Sequence, residues 1–263
     1  MKSDEIAVVI PTYNERGNIV PLIGDLLALP LNIRVLVVDD DSPDGTAAAV
    51  RDAFSGRDAV SVYVRKEKRG RGWAGRFGFL EALRLGSGVI GEMDADFSHH
   101  PKFIPSMVRA LDQADAVIGS RYTGGGDVER RSRSRKAVTM GARAYLKALL
   151  GIKVSDPTSG FRFFRREALA AIAPVLQAED PFIVTEVLYR LTRNRARIVE
   201  VPIVFYERRA GESKLKAGTL LKYLWRVLEL RWQCHCEERF AVTKQSRVAS
   251  DEIAAVVDDT PSQ

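Results

Sequence analysis

Val35-Leu36-Val37-Val38-Asp39-Asp40-Asp41-Ser42-Pro43-Asp44-Gly45-Thr46 is the stretch that decides the fold. Four apolar residues, three of them β-branched, read as a strand covered on both faces. Three carboxylates end it. Ser42 or Asp44 can cap the helix that follows, with Pro43 in its first turn. Capping accounts for Ser42, Pro43 and Asp44 but not for Asp39 and Asp40, whose carboxylates could accept hydrogen bonds from a ribose or a base.

The same strand, loop and helix pattern recurs on both sides. Apolar runs at residues 6–10, 60–64, 89–93 and 116–119 read as strands, with helical patterns at 17–29, 44–54, 72–85 and 102–111. Such alternation predicts an α/β fold, a mostly parallel central sheet flanked by helices. Ligands of such sheets sit outside the carboxyl ends of the strands. The candidate site is therefore residues 11–15, 39–44, 94–99 and 121–127. Beyond Tyr122 the regularity fades into a glycine-rich stretch and a basic cluster, Arg130, Arg131, Arg133, Arg135 and Lys136. A helix over 138–150, a loop over 156–162, a helix over 181–193 and a strand over 198–205 follow.

Asp94-Ala95-Asp96 is the sharpest chemical feature. It follows the apolar run 89–93, and in extended backbone alternate side chains share a side. Two carboxylates that close raise each other's pKa unless a cation joins them, and a hard divalent ion with oxygen ligands fits. A solvated turn after a strand is the plain alternative. His99 and His100 read either as groups behind such a metal or as helix-opening residues before Pro101. Pro11-Thr12-Tyr13-Asn14-Glu15 stands where a dinucleotide-binding protein would carry G-x-G-x-x-G, and no G-x-x-x-x-G-K-[ST] loop occurs anywhere. Redox chemistry on NAD and P-loop phosphoryl transfer are thus disfavoured.

Composition narrows the class further. The chain has 263 residues, 46% apolar and 28% charged, the balance of a globular enzyme. No apolar run approaches the roughly 20 residues of a membrane-spanning helix. Asp4 and Glu5 precede the first strand, unlike a secretory leader, so a cytoplasmic protein is expected. A net charge of +6 favours anionic partners. The basic residues lack interleaved aromatics, so a nucleic-acid module is the weaker reading. Cys234-His235-Cys236 lacks the second pair of a tetrahedral zinc site.

The motifs together resemble a family. Pro11-Thr12-Tyr13-Asn14-Glu15, Val37-Val38-Asp39-Asp40-x-Ser42-Pro43-Asp44-Gly45-Thr46 and Met93-Asp94-Ala95-Asp96-x-Ser98-His99 are similar to family 2 glycosyltransferases of the GT-A (nucleotide-diphospho-sugar transferase, Rossmann-like) fold. Gly119-Ser120-Arg121-Tyr122, Asp156-x-Thr158-x-Gly160-Phe161-Arg162 and Gly211-Glu212-Ser213-Lys214 extend the match toward the dolichol-phosphate (polyprenol-phosphate) mannose synthase branch.

That resemblance implies an inverting, metal-dependent transfer of a sugar, mannose from GDP-mannose first, onto a polyprenyl phosphate. Another donor, UDP-glucose or UDP-N-acetylglucosamine, or a non-lipid acceptor is the alternative. By position, Pro11, Tyr13 and Glu15 would line the nucleotide, with Val38 and Asp40 beside base and ribose. Asp94, Ala95 and Asp96 would hold the diphosphate through Mg²⁺ or Mn²⁺, with Asp94, Asp96 and Ser98 as the metal set. Asp96, Arg121, Arg208 and Lys214 would be the catalytic group, the three cations meeting phosphate oxygens. Ser98 stands where relatives often carry Gln, Val184 where they carry Gln, and Ala210 where they carry an aromatic residue.

The catalytic domain is expected to span residues 1–232 and to end in an amphipathic helix, about 217–233, before a polar, disordered tail at 237–263. Leu220, Leu221, Leu224, Val227 and Leu228 form its stripe, with Lys222 and Arg226 on the other side. The stripe reads either as core or as an attachment to the cytoplasmic face of a membrane or to a small membrane-embedded partner subunit.

Overall fold

The computed structural model describes residues 5–124, 133–205 and 222–234. The chain divides into two compact units, Met1–Ser213 and Lys214–Gln263. Among its described residues the first carries seven strands, β1 (Ile6–Thr12), β2 (Ile33–Asp39), β3 (Val60–Val64), β4 (Val89–Glu92), β5 (Ala116–Ser120), β6 (Arg162–Arg165) and β7 (Ile198–Pro202). Its helices are α1 (Arg16–Leu27), α2 (Thr46–Ala53), α3 (Arg71–Leu85), α4 (Ile104–Ala110), α5 (Arg133–Leu150), α6 (Arg166–Ala170) and α7 (Ile183–Arg193).

The strands form one sheet in the order β3-β2-β1-β4-β6-β5-β7. β1, β2, β3 and β4 pair in parallel, as do β5 and β7, while β6 runs antiparallel to both β4 and β5. β6 is the strand that sequence reading misses. It is four residues long with an arginine at each end, so neither length nor alternation marks it. Its pairing depends on Gly91: a Cβ there would stand 2.3 Å from Phe163 Cε1, so only a bare backbone admits the Phe163 ring.

Residues 6 to 10 are almost wholly buried because both faces of β1 are covered. Ile6, Val8 and Ile10 belong to a cluster with Ile19, Leu22, Ile23 and Leu26 of α1 and with Ile33, Val35 and Val37 of β2. Those α1 positions follow the i, i+3, i+4, i+7 spacing of one helical face. Alternation sends Val9 and Val38 to the opposite face, where α3 approaches so closely that a Cβ on Gly78 would lie 2.2 Å from Val9 Cγ1. Each fully buried Val, Ile or Leu contributes about 1.5–3 kcal/mol.

The sequence boundaries need small corrections. The helix expected at 102–111 is a 3-10 turn, Pro101–Phe103, followed by the shorter α4. The last strand stops at Pro202 rather than reaching residue 205. β1 lies between β2 and β4, where successive connections leave in opposite directions, and the crevice at such a switch point is where α/β sheets bind ligands.

In the second unit, residues 222–234 are helical. Val227, Leu230 and Cys234 are buried, whereas Trp225, Leu228 and Trp232 are 69%, 44% and 70% exposed. At 100° per residue these sets occupy opposite sides of the helix. The expected stripe is thereby redrawn: Val227 lies on the buried side and Leu228 on the exposed one. Leu220 and Leu221 lie outside the described residues.

Candidate active site

The loops leaving β1 and β2 are tied together by the acidic cluster. Thr12 Oγ1 donates to Asp39 Oδ1 at 2.8 Å, and Ser42 donates its amide to Asp39 Oδ2 at 2.8 Å and its hydroxyl to Oδ1 at 2.6 Å. Ser42 Oγ accepts from the Asn14 amide at 3.0 Å. Asp44 accepts from the amides of Arg16, at 3.0 Å, and Thr46, at 2.9 Å. Asp39, unexplained by capping, thus joins two strand ends.

Asp40 forms the next wall. Arg65 Nη1 reaches its Oδ1 at 2.8 Å, the Gly70 amide its Oδ2 at 2.6 Å, and Arg69 Nε its carbonyl at 2.8 Å. Burial pushes the Asp40 carboxyl above the usual range, against the pull of Gly70 and Arg65. Tyr13 projects from the rim, 55% exposed, with the Arg69 guanidinium 5.7 Å from its ring centroid. Pro11 is half-buried at the end of β1. The Glu15 carboxylate accepts from Asn18 Nδ2 at 2.9 Å. Val38 is wholly buried, facing Gly78 of α3, so only its main chain borders the crevice.

Asn14, Asp41, Lys68 and Phe97 stand in these strand-end loops with φ of 60°, 55°, 50° and 59°. Asn and Asp enter the left-handed region readily, but a lysine or phenylalanine there costs about 1–2 kcal/mol. Phe97 directly follows the second carboxylate of the pair, so backbone strain is held at the site.

Asp94 and Asp96 are half-buried on either side of buried Ala95. Asp94 Oδ1 meets Arg71 Nη2 at 3.3 Å, and its Oδ2 lies 3.8 Å from His99 Nδ1. The Ser98 amide donates to Asp96 Oδ1 at 3.0 Å. The loop before β6 closes the far side: a Cβ on Gly160 would stand 3.2 Å from Asp94 Oδ2. His99 stacks on Phe161 with centroids 5.2 Å apart and meets Phe205 edge-on. Burial lowers its pKa, against the nearby carboxylates of Asp94 and Asp96, and so favours the neutral ring. His100 does something else, its Nδ1 accepting the Lys102 amide at 3.2 Å to open the 3-10 turn.

This donor set fits a small hard cation. Ser98 Oγ and His99 Nδ1 are buried without a hydrogen-bond partner beside two carboxylates. Among the described residues, no three His, Cys, Asp or Glu side chains gather closely enough to cage an ion. Two carboxylates with the rest of the shell supplied by bound phosphate oxygens is the arrangement typical of Mg²⁺.

The chain matches the family described as Glycosyl transferase family 2 over residues 7–173. It belongs to the family 2 glycosyltransferases. It is 38% identical over 225 residues to polyprenol monophosphomannose synthase of Mycolicibacterium smegmatis, covering 84% of this chain and 85% of that one. It is 36% identical to undecaprenyl-phosphate mannosyltransferase of Micrococcus luteus, covering 87% and 96%. It is 37% identical to dolichol-phosphate mannosyltransferase of Pyrococcus furiosus, covering 87% and 64%. Among solved structures, glucosyl-3-phosphoglycerate synthase of Mycobacterium tuberculosis with Mn²⁺, UDP and glucosyl-3-phosphoglycerate superposes with a TM-score of 0.62 at 22% identity, covering 86% and 78%. The fold is GT-A, as the sequence motifs implied.

Elsewhere in this glycosyltransferase the expected cations have unequal fates. Arg121 donates to Asp156 from Nε at 2.6 Å and from Nη2 at 2.7 Å, and its guanidinium lies 5.0 Å from the Phe205 ring. Arg208 and Lys214 lie outside the described residues, as do Ala210, Arg130 and Arg131. Glu186 is buried and accepts from the amides of Gln177 and Ala178, at 3.0 and 2.7 Å, and from Arg190 Nε at 2.8 Å. It holds a loop, and Val184 beside it is buried. Trp73 carries Lys68 Nζ 5.0 Å above its ring.

Three groups that sequence reading left without a role meet behind Asp94. Arg71 and Arg162 both bond the wholly buried Glu92 carboxylate. Burial alone would raise the Glu92 pKa, but the two guanidinium groups hold it below the ordinary carboxylate range. A charged residue within an apolar strand, and an arginine between Gly70 and Gly72, were the signals available.

Proposed function

We propose that this glycosyltransferase moves mannose from GDP-mannose to a polyprenyl phosphate at the cytoplasmic face of a membrane, using Mg²⁺ or Mn²⁺. One observation carries the reading: Asp94 and Asp96 stand at the switch point of the sheet in a chain 36–38% identical to three relatives whose names join mannose to a polyprenyl or dolichyl phosphate. Asp94 and Asp96, with Ser98 beside them, would hold the ion. Bound there, the ion would neutralise charge developing on the departing nucleoside diphosphate, usually the largest contribution in such sites.

The rest follows from acceptor chemistry. A phosphate monoester has a second pKa near 6, so near neutral pH it is largely a dianion and needs no general base. An acceptor oxygen forms a bond to the anomeric carbon from one side while the bond to the β-phosphate oxygen breaks on the other. The electron pair leaves with GDP, and configuration inverts. The protein's task is in-line positioning, exclusion of water, and cations near the phosphates. Arg121, Arg208 and Lys214 are the proposed cations; Tyr13, Glu15, Pro11, Asp40 and the main chain of Val38 are the proposed nucleotide wall.

Attachment is assigned to the helix over residues 222–234. Trp225, Leu228 and Trp232 form an exposed apolar side with Lys222 and Arg231 on its flanks. Tryptophan prefers the membrane interface, where its ring is partly apolar and its N–H is wet, and basic flanks suit anionic lipid. Among the described residues no helix is long and apolar enough to cross a membrane.

A transfer assay with GDP-mannose, UDP-glucose and UDP-N-acetylglucosamine against a polyprenyl phosphate tests the reading. GDP-mannose alone should support metal-dependent transfer, and Asp96→Ala should abolish it with an unchanged circular dichroism spectrum. Transfer from a UDP-sugar, or none to the lipid phosphate, would overturn it.

A further inference from the structure

Arg71 is built into the carboxylate site with unusual care. It is the first residue of α3, and its guanidinium spans from Glu92 Oε1 to Asp94 Oδ1, the latter at 3.3 Å. Glycines surround it. A Cβ on Gly75 would fall 2.8 Å from Glu92 Oε1 and 3.3 Å from Arg71 Nη1, and one on Gly160 would fall 3.2 Å from Arg71 Nη2. The slot for the guanidinium is therefore kept open from both sides.

The backbone of Arg71 is clamped as well. Gly72 donates its amide to Glu179 O at 3.0 Å. Cβ atoms on Gly70 and Gly72 would stand 2.6 Å from Glu179 O and 2.2 Å from Ala178 O. That loop is the one Glu186 holds through the amides of Gln177 and Ala178. A guanidinium fixed at its backbone and at Glu92 stays beside Asp94 with little freedom to swing away.

Charge counting then gives the group a task. Arg71 and Arg162 carry two positive charges, and Glu92 and Asp94 carry two negative ones. Asp94 is thus already balanced before any metal arrives. A divalent ion coming alone meets a fixed cation beside one of its two carboxylates and is repelled. A divalent ion coming with a diphosphate brings anionic oxygens that the same cation attracts.

We propose that Arg71 is a positioning residue that makes the site favour the metal–diphosphate pair over the bare metal, so that ion and donor enter together. The inference rests on the metal and sugar-nucleotide reading above. It differs from that reading in concerning only the order and coupling of binding.

The test measures two affinities on the whole chain. Free Mn²⁺ is counted by electron paramagnetic resonance without nucleotide, and GDP binding is measured by calorimetry at saturating Mn²⁺. For R71M, which leaves Glu92 paired with Arg162, bare Mn²⁺ should bind about tenfold tighter and GDP about tenfold weaker. R71K keeps the charge and should stay close to wild type in both. If R71M does not fold, as judged by its thermal melt, R71Q is the neutral replacement with the same two shifts expected. Loss of both affinities, or a change in neither, would overturn the role of Arg71. Failure of wild type to bind GDP at saturating Mn²⁺ would instead remove the site reading itself.

Discussion

Arg121 gives Asp156 three hydrogen bonds: Nε at 2.6 Å, Nη2 at 2.7 Å and the backbone amide at 3.1 Å. Asp156 is wholly buried, and its own amide and that of Ser155 are held by Glu200 at 3.0 and 2.8 Å. The arrangement fixes the guanidinium beside Phe205 at the mouth of the carboxylate site. It spends most of its donors inside the protein. A phosphate approaching Arg121 would meet a cation whose orientation is already set, which is preorganisation of the kind that lowers a charge-separation barrier.

Breaking that pair should be expensive. Asp156→Ala leaves a largely buried guanidinium without its partner, and removing one member of such a pair typically destabilises by about 3–5 kcal/mol. Arg121→Lys cannot make the two-pronged contact and should lose part of that amount. Urea denaturation midpoints report both; an Asp156→Ala midpoint equal to wild type would mean that the pair does not hold the loop.

His99 should make stability pH-dependent. Burial lowers its folded pKa below the ordinary value near 6.5, so the unfolded chain takes up a proton first as pH falls. Stability is present above the unfolded value and is lost as pH drops through that value toward the folded one. His99→Phe keeps a ring against Phe161 and removes the titration. Melting temperatures of the two proteins, compared from pH 7.5 to 5, should diverge, with wild type falling faster. Parallel curves would show that His99 is not a buried neutral base.

The tryptophan side of the second unit gives a vesicle prediction. Trp225→Ala with Trp232→Ala should weaken flotation with protein-free anionic vesicles at least tenfold, while GDP binding to the soluble protein stays within about twofold. Replacing buried Leu230 should instead lower stability. If wild type ignores bare vesicles but binds membranes carrying a small integral partner, the helix reads a protein and not lipid.

Much of this was legible along the chain. The strand–loop–helix repeat follows from apolar runs that can be satisfied only by burial on both faces, and Ile6, Val8, Val35 and Val37 are buried as that demands. The carboxylates fell at strand ends because polar residues must stand where the sheet stops, so Asp39, Asp40, Asp94 and Asp96 could be placed at one crevice before any coordinates. The lack of G-x-G-x-x-G after the first strand and of any G-x-x-x-x-G-K-[ST] loop also separated an enzyme of this class from a nucleotide-redox or P-loop protein.

Tertiary structure decided what those carboxylates do. Asp39 is tied by Thr12, 27 residues away, and Asp40 by Arg65 and Gly70, partners that no local pattern names. β6 was hidden because its antiparallel place between β4 and β5 depends on the bare Gly91 and on the Arg162–Glu92 pair, both contacts distant in sequence. The expected stripe put Val227 and Leu228 together; in the helix over residues 222–234 Leu228 is exposed with Trp225 and Trp232 on one side, and Val227 is buried with Leu230 on the other. Periodicity records which residues avoid water. Which charges neutralise one another is set by distances across the fold, and those exist only once the chain has closed.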